Sequence, residues 1–275
     1  MPWYENRHGE KLWYEDRGAG CPVVLVHGWC MSSAIWAYQF DDLPASMRLI
    51  APDLRGHGRS REITANLDFG RFAEDLVDLF EALDLSQVVL VGWSMGAQVA
   101  LQASAGLSGR LAGLVLVSAT PRFTASAEFP HGLNDSEVRG MRLNVQRNPK
   151  RALDRFYSRL FTEGELERHD LAQEIKRLLS ELVAPDTAAV LDALDALAGA
   201  DMRNLLAAVS LPTVIVNGAQ DRICLPEASL FLKTHITGAV QTLFPGCGHA
   251  PFLTHRHEFN DIIIGFVRSI CGQNA

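Results

Sequence analysis

The sequence predicts an α/β protein: a mostly parallel central sheet flanked by helices, with an inserted helical cap. Three observations carry this. Five short runs, Pro22–Val26, Arg48–Ala51, Val88–Val91, Leu114–Val117 and Thr213–Val216, are apolar with little polar alternation. Helical patterns such as Phe72–Leu83 and Met95–Ala105 lie between them. From about Pro121 to Leu211 the alternation fails, and helical segments follow one another. A strand with one wet face alternates apolar and polar residues, so runs without alternation fit strands covered on both faces.

The elements follow in order. Aromatic-rich segments at Trp3-Tyr4 and Leu12-Trp13-Tyr14 flank the turn signal His8-Gly9 and read as a hairpin. The run Pro22–Val26 ends at His27-Gly28, Val240–Phe244 reads as the last strand, and Phe259–Ile270 as the closing helix. The strandless stretch predicts helices near 135–147, 149–162, 165–183 and 186–198. Pro149 and Pro185 sit at helix starts, where a missing N–H costs nothing. With no repeats and no linker-like tracts, the expected division is a core of 1–120 and 201–275 and a cap of 121–200.

Composition narrows the functions. A chain of 275 residues that is 48% hydrophobic can build one packed domain with an insertion. With 25 Lys and Arg against 32 Asp and Glu, the net charge of −7 argues against a nucleic-acid-coating protein. Cys21, Cys30, Cys224, Cys247 and Cys271 include no Cys-x-x-Cys pair. Neither a disulfide framework nor a zinc site is therefore expected, and a reducing cytoplasmic compartment is the simplest home. The charged N-terminal stretch lacks an apolar core, and no apolar run reaches about 18 residues. The expectation is a cytoplasmic monomer with no nucleic-acid or membrane partner.

The chief chemical signal is Gly92-Trp93-Ser94-Met95-Gly96. Alone the string is a weak signal; between a buried strand and a helix it has the setting of a nucleophile elbow. There a serine sits on a strained turn whose glycines avoid clashes, with its hydroxyl at the helix N-terminus, where free N–H groups favour an oxyanion. The bland alternative is an ordinary N-cap serine.

A serine needs a base, and the base needs an orienting acid, in the chain order Ser, acid, His. Asp221 lies just past the run Thr213–Val216, and His249 lies in the Gly-rich loop after Val240–Phe244. Strand carboxyl ends are where α/β sites form. His57, His255 and His257 are weaker candidates, and His8, His131, His169 and His235 lack a strand-end context. Asp53 precedes the elbow and is expected to hold its own turn with Arg55. The oxyanion donors expected are the backbone N–H groups of Met95 and Trp29, with the Trp29 indole lining the acyl site.

These residues resemble the α/β-hydrolase superfamily over nearly the whole chain. More narrowly, the chain resembles the pimeloyl-acyl-carrier-protein methyl ester esterases of biotin synthesis. The resemblance rests on Leu25-Val26-His27-Gly28-Trp29, Asp53-Leu54 with Gly58-Arg59-Ser60, and the elbow. It extends to Ser118–Phe123, Arg151–Phe156 and His249-Ala250-Pro251-Phe252. Two departures are Ala97, where a second glycine often follows the elbow, and Cys30, where glycine is usual. The resemblance implies catalytic Ser94, Asp221 and His249 and no metal or organic cofactor. It implies substrate contacts at Trp29, Ser94, Met95, Phe156, Tyr157, Ser158, Arg159, Leu160 and His249.

The cap adds a physical clue. Residues 138–160 hold seven basic residues and one acidic one, a local charge of +6, while the remainder, with 18 basic and 31 acidic, stands at −13. Arg147, Arg151, Arg155 and Arg159 are spaced by four, and the last three make a stripe on one helix face, with Phe156 and Leu160 on another. The strip is either a solvated surface or a docking site for an acidic macromolecule; acyl carrier protein is the partner the resemblance implies. A serine carboxylesterase releasing methanol from a carrier-bound pimeloyl ester is the reading preferred. A broad short-chain esterase, a carbon–carbon hydrolase, an acyltransferase and a non-catalytic ligand receptor stay open.

Overall fold

A computed structural model describes residues 2–168 and 170–272 of the chain. Strands β1 (Trp3–Glu5) and β2 (Lys11–Arg17) form the antiparallel hairpin, with Tyr4 opposite Leu12 and both buried. There follow β3 (Cys21–Val26), α1 (Ala37–Asp42), β4 (Met47–Pro52), α2 (Phe69–Ala82), β5 (Val88–Trp93), α3 (Met95–Ala103) and β6 (Leu111–Val117). The stretch after β6 carries α4 (Asp135–Arg147), α5 (Pro149–Arg159), α6 (Ala172–Glu181) and α7 (Thr187–Gly199). The chain closes with β7 (Thr213–Gly218), α8 (Pro226–His235), β8 (Val240–Phe244), α9 (Pro251–Thr254) and α10 (Arg256–Cys271).

The strands make one eight-stranded sheet in the order β1-β2-β4-β3-β5-β6-β7-β8. Pairing is antiparallel at β1–β2 and β2–β4 and parallel from β4 across to β8. All six residues of β5 and of β7 are buried, because helices cover both faces of the sheet centre. At the edge, β8 leaves Val240 and Leu243 exposed.

The inserted stretch is drawn together at its ends. Met202 N–H donates to the Pro121 carbonyl at 2.8 Å, and the Arg122 guanidinium meets Asp201 at 2.9 Å. Helix α1 goes beyond the sequence-based expectation; six residues are too few to show a helical period. Helix α6 starts later than the pattern suggests, after a short 3-10 turn at Leu166–Arg168. No helix among the described residues is long and apolar enough to cross a membrane.

Two expectations are corrected. Cys21, opening β3, and Cys271, ending α10, form a disulfide across a sequence separation of 250; such a distance leaves no spacing signal. Asp53 does not pair with Arg55: its oxygens accept from the amides of Ser33 at 2.6 Å and Arg59 at 2.7 Å. Arg55, fully buried, instead grips both oxygens of Asp75 and reaches Glu10. The reason is geometric: Asp53 faces the loop after β3, whereas Arg55 points toward α2 and the β1–β2 turn.

Candidate active site

Ser94 joins β5 to α3 with φ 56° and ψ −118°, a backbone conformation costly for an L-residue. The turn is held by its surroundings: the Ser94 amide donates to Val117 O at 2.9 Å, and its carbonyl accepts from Ala97 N at 2.9 Å. The hydroxyl makes no cap bond to α3, so the serine does not behave as an ordinary N-cap. A Cβ on Gly96 would stand 2.3 Å from the Val26 carbonyl oxygen and 2.5 Å from that of His27. Glycine there lets the first turn of α3 press against the end of β3.

Asp221 follows β7 and is buried. Its Oδ1 accepts from the amides of Ile223 at 2.8 Å and Cys224 at 3.0 Å, and its Oδ2 meets His249 Nδ1 at 2.8 Å. With Nδ1–H donating to the carboxylate, the lone pair of the neutral ring lies on Nε2. That atom is buried and has no hydrogen-bond partner among the described residues. The His249 backbone is fixed on both sides: its amide donates to Leu160 O at 2.7 Å, and its carbonyl accepts from the Trp93 indole at 2.8 Å. Burial and the Asp221 carboxylate push the nearby Cys224 thiol well up, which keeps it neutral.

The loop after β3 is shaped by His27. Its Nε2 accepts from Leu54 N–H at 3.0 Å, so Nδ1 carries the proton and donates to Gly28 O at 2.8 Å. Burial pushes this imidazole down to about 4, so it stays neutral. Gly28 packs against the elbow: a Cβ there would be 3.3 Å from that of Ser94. Trp29 and Met95 are both buried.

The Trp29 indole donates to Val190 O of α7 at 3.0 Å and stacks edge-on against Phe156 of α5 at 4.8 Å. Both rings line a cavity of about 390 Å³ between α4 and α5, with Arg155 and Arg159 also on its wall. Tyr157 and Ser158 line a different cavity, of about 650 Å³, between α5 and α6. The Tyr157 hydroxyl, kept a phenol chiefly by burial, donates to Cys30 O at 3.2 Å, and Ser158 bonds its own helix at Arg155 O. Leu160 is buried and meets the histidine loop through its carbonyl.

Of the basic strip, Arg147, Arg151 and Arg155 share a cleft of about 330 Å³ with Asn144 and Asn148. Arg159 departs from it, held by Glu137 at 2.6 Å and the Arg222 carbonyl at 3.2 Å. Glu165, Cys247 and His255 bring possible metal-ligand atoms within 4.8 Å of one another, although three donors already engage the Glu165 oxygens. Sequence reasoning did not find Trp93 and Leu160 as holders of the His249 backbone, nor Val190 as the partner of Trp29. These are main-chain contacts and have no sequence signature. His169 lies outside the described residues.

The chain belongs to the α/β-hydrolase fold family, whose pattern it matches over residues 22–256. More narrowly, it is similar to curated esterases. It is 30% identical over 262 residues to the pimeloyl-[acyl-carrier protein] methyl ester esterase of Nitrosospira multiformis, covering 94% of this chain and 98% of that one. The enzyme of the same name from Nitrosomonas europaea is 33% identical over 246 residues, covering 89% and 95%. Among solved structures, the esterase EaEST from Exiguobacterium antarcticum superposes with a TM-score of 0.89 at 27% identity, covering 97% and 98%.

Proposed function

We propose that the protein hydrolyses the methyl ester of a pimeloyl chain held on acyl carrier protein, releasing methanol, with Ser94, His249 and Asp221 as its catalytic set. The protein is a carboxylic ester hydrolase, by its family and its esterase relatives. The substrate follows from the names of those relatives. The observation that carries the chemistry is the pairing of Asp221 with His249 Nδ1, which leaves a buried, unpartnered Nε2, together with the forced turn at Ser94.

His249 Nε2 takes the Ser94 proton as Oγ attacks the ester carbon. The amides of Met95 and Trp29 receive the oxyanion, and Asp221 steadies the imidazolium through Nδ1–H. His249 then protonates the departing methoxide. A water molecule, deprotonated by the same nitrogen, attacks the acyl-enzyme and frees Ser94. The acyl chain enters by the cavity beside Trp29, with Phe156 and Arg159 on its walls, while Leu160 holds the His249 amide and Tyr157 and Ser158 brace α5. Arg147, Arg151 and Arg155, with Arg159 beside them, form the surface for an acidic carrier. Each step uses only groups of the chain and water.

The test is release of methanol from the carrier-bound methyl ester by the purified protein and by Ser94→Ala. Turnover by the wild type and none by the variant is expected. Turnover of p-nitrophenyl esters without turnover of the carrier-bound substrate would replace this reading with a broad short-chain esterase.

A further inference from the structure

Glu165 lies in the inserted stretch, between α5 and α6, and the mechanism above leaves it without a task. Its side chain is only 2% exposed. Oε2 accepts from the amides of Thr162 at 2.7 Å and Gly248 at 2.9 Å, and Oε1 from the Thr254 hydroxyl at 2.6 Å. Gly248 immediately precedes His249, whose own amide donates to Leu160 O at 2.7 Å. Two successive amides of the histidine loop are therefore held by the segment 160–165 of the insertion. A Cβ on Gly248 would stand 2.5 Å from the Leu160 carbonyl oxygen, so the segment lies that close only because the loop has glycine there. Thr254 extends the tether to the end of α9, the helix that opens within the His-Ala-Pro-Phe segment.

A buried carboxylate costs free energy unless strong donors surround it, and donors aimed at an ionised acceptor make the firmer hydrogen bonds. Glu165 meets that condition by recruiting donors from three places in the chain. We infer that Glu165 is a positioning residue: it ties the inserted stretch to the loop bearing His249, so that seating of the cap and placement of the base are one event. The inference rests on His249 acting as the base. A shift of about 1 Å in a catalytic group can cost about a hundredfold in rate, and the amides of both Gly248 and His249 end on this segment.

The test compares Glu165→Ala with Glu165→Gln on a small p-nitrophenyl ester, with hydrogen exchange of the peptide 246–252 measured in parallel. The glutamine oxygen can accept from both amides while its NH₂ donates to the Thr254 hydroxyl, so it retains the tether. Glu165→Ala is expected to lower kcat by about tenfold or more with KM changed by less than about twofold. It should also speed exchange in 246–252, while Glu165→Gln restores both. Wild-type kcat in Glu165→Ala, or a lost kcat with 246–252 protected as in the wild type, would overturn the inference. Should Glu165→Ala not fold, Thr254→Val leaves both amide bonds to Oε2 and removes the hydroxyl that meets Oε1, Cys247 Sγ and His255 Nδ1; it should give a smaller loss that Thr254→Ser abolishes, and no loss overturns the inference. A wild type inactive on every ester would sink the esterase reading by itself. Faster exchange in Glu165→Ala but not in Glu165→Gln would still establish the tether.

Discussion

Acidification from pH 7 to 5 should destabilise this protein through two histidines that have no catalytic task. His27 and His57 are fully buried, with ring centroids 5.3 Å apart. Burial pushes His27 down from 6.5 to about 4; burial, and then the neighbouring His27, push His57 to about 3. In the unfolded chain both take up protons near pH 6.5, whereas the folded protein binds them only near pH 4 or below. The unfolded state thus holds more protons across this window, and stability falls as the pH drops through 6.5. At pH 5 each histidine costs about 2 kcal/mol relative to neutral pH, and the pair about 4 kcal/mol. That is a large share of the roughly 5–15 kcal/mol by which a domain is stable. Urea unfolding at pH 7, 6 and 5 and constant ionic strength would measure it for the wild type and for His57→Leu. Removing one of the two groups should roughly halve the pH dependence. Equal stability at pH 7 and 5, or the same slope in both proteins, would refute the reasoning.

Other predictions concern packing, charge and covalent constraint. Gly96→Ala sets a methyl group against the Val26 and His27 carbonyls. It should cost about 3 kcal/mol in urea unfolding and depress ester hydrolysis, since both the elbow and the Trp29 loop move. Reversing Arg147 and Arg151 to Glu should weaken turnover of the carrier-bound ester in a salt-sensitive way while sparing a small free ester; equal effects would remove the docking surface. Arg55→Met leaves the Asp75 carboxylate buried without its cation, and thermal unfolding should report a loss of about 3–5 kcal/mol. Cys271→Ser opens the link to Cys21. By the chain entropy released it should cost up to about 5 kcal/mol, and added reductant should bring the wild type to the same midpoint.

What the sequence determined by itself is the architecture and the order of its chemical groups. Strands buried on both faces must be apolar throughout, so β3, β5, β6 and β7 were readable as unalternating runs, and the insertion as the place where such runs stop. The surroundings of Ser94, Asp221 and His249 were legible for a related reason: each sits at a strand's carboxyl end, and strand ends can be counted along a chain. The resemblance to the esterases came through the same local motifs.

Contacts between residues far apart in the chain leave no such trace, and these only the tertiary structure decided. Asp53 and Arg55 lie two residues apart yet turn to different partners, because the loop directs one toward Ser33 and the other toward Asp75. The Cys21–Cys271 bond spans almost the whole chain. Helix α5 sends Phe156 to the Trp29 cavity and Tyr157 to another, a division fixed by the helices on either side. The tether of Glu165 to Gly248 is a carboxylate meeting a backbone amide. Every residue other than proline carries an amide, so proximity in the folded protein, not residue type, selected this one.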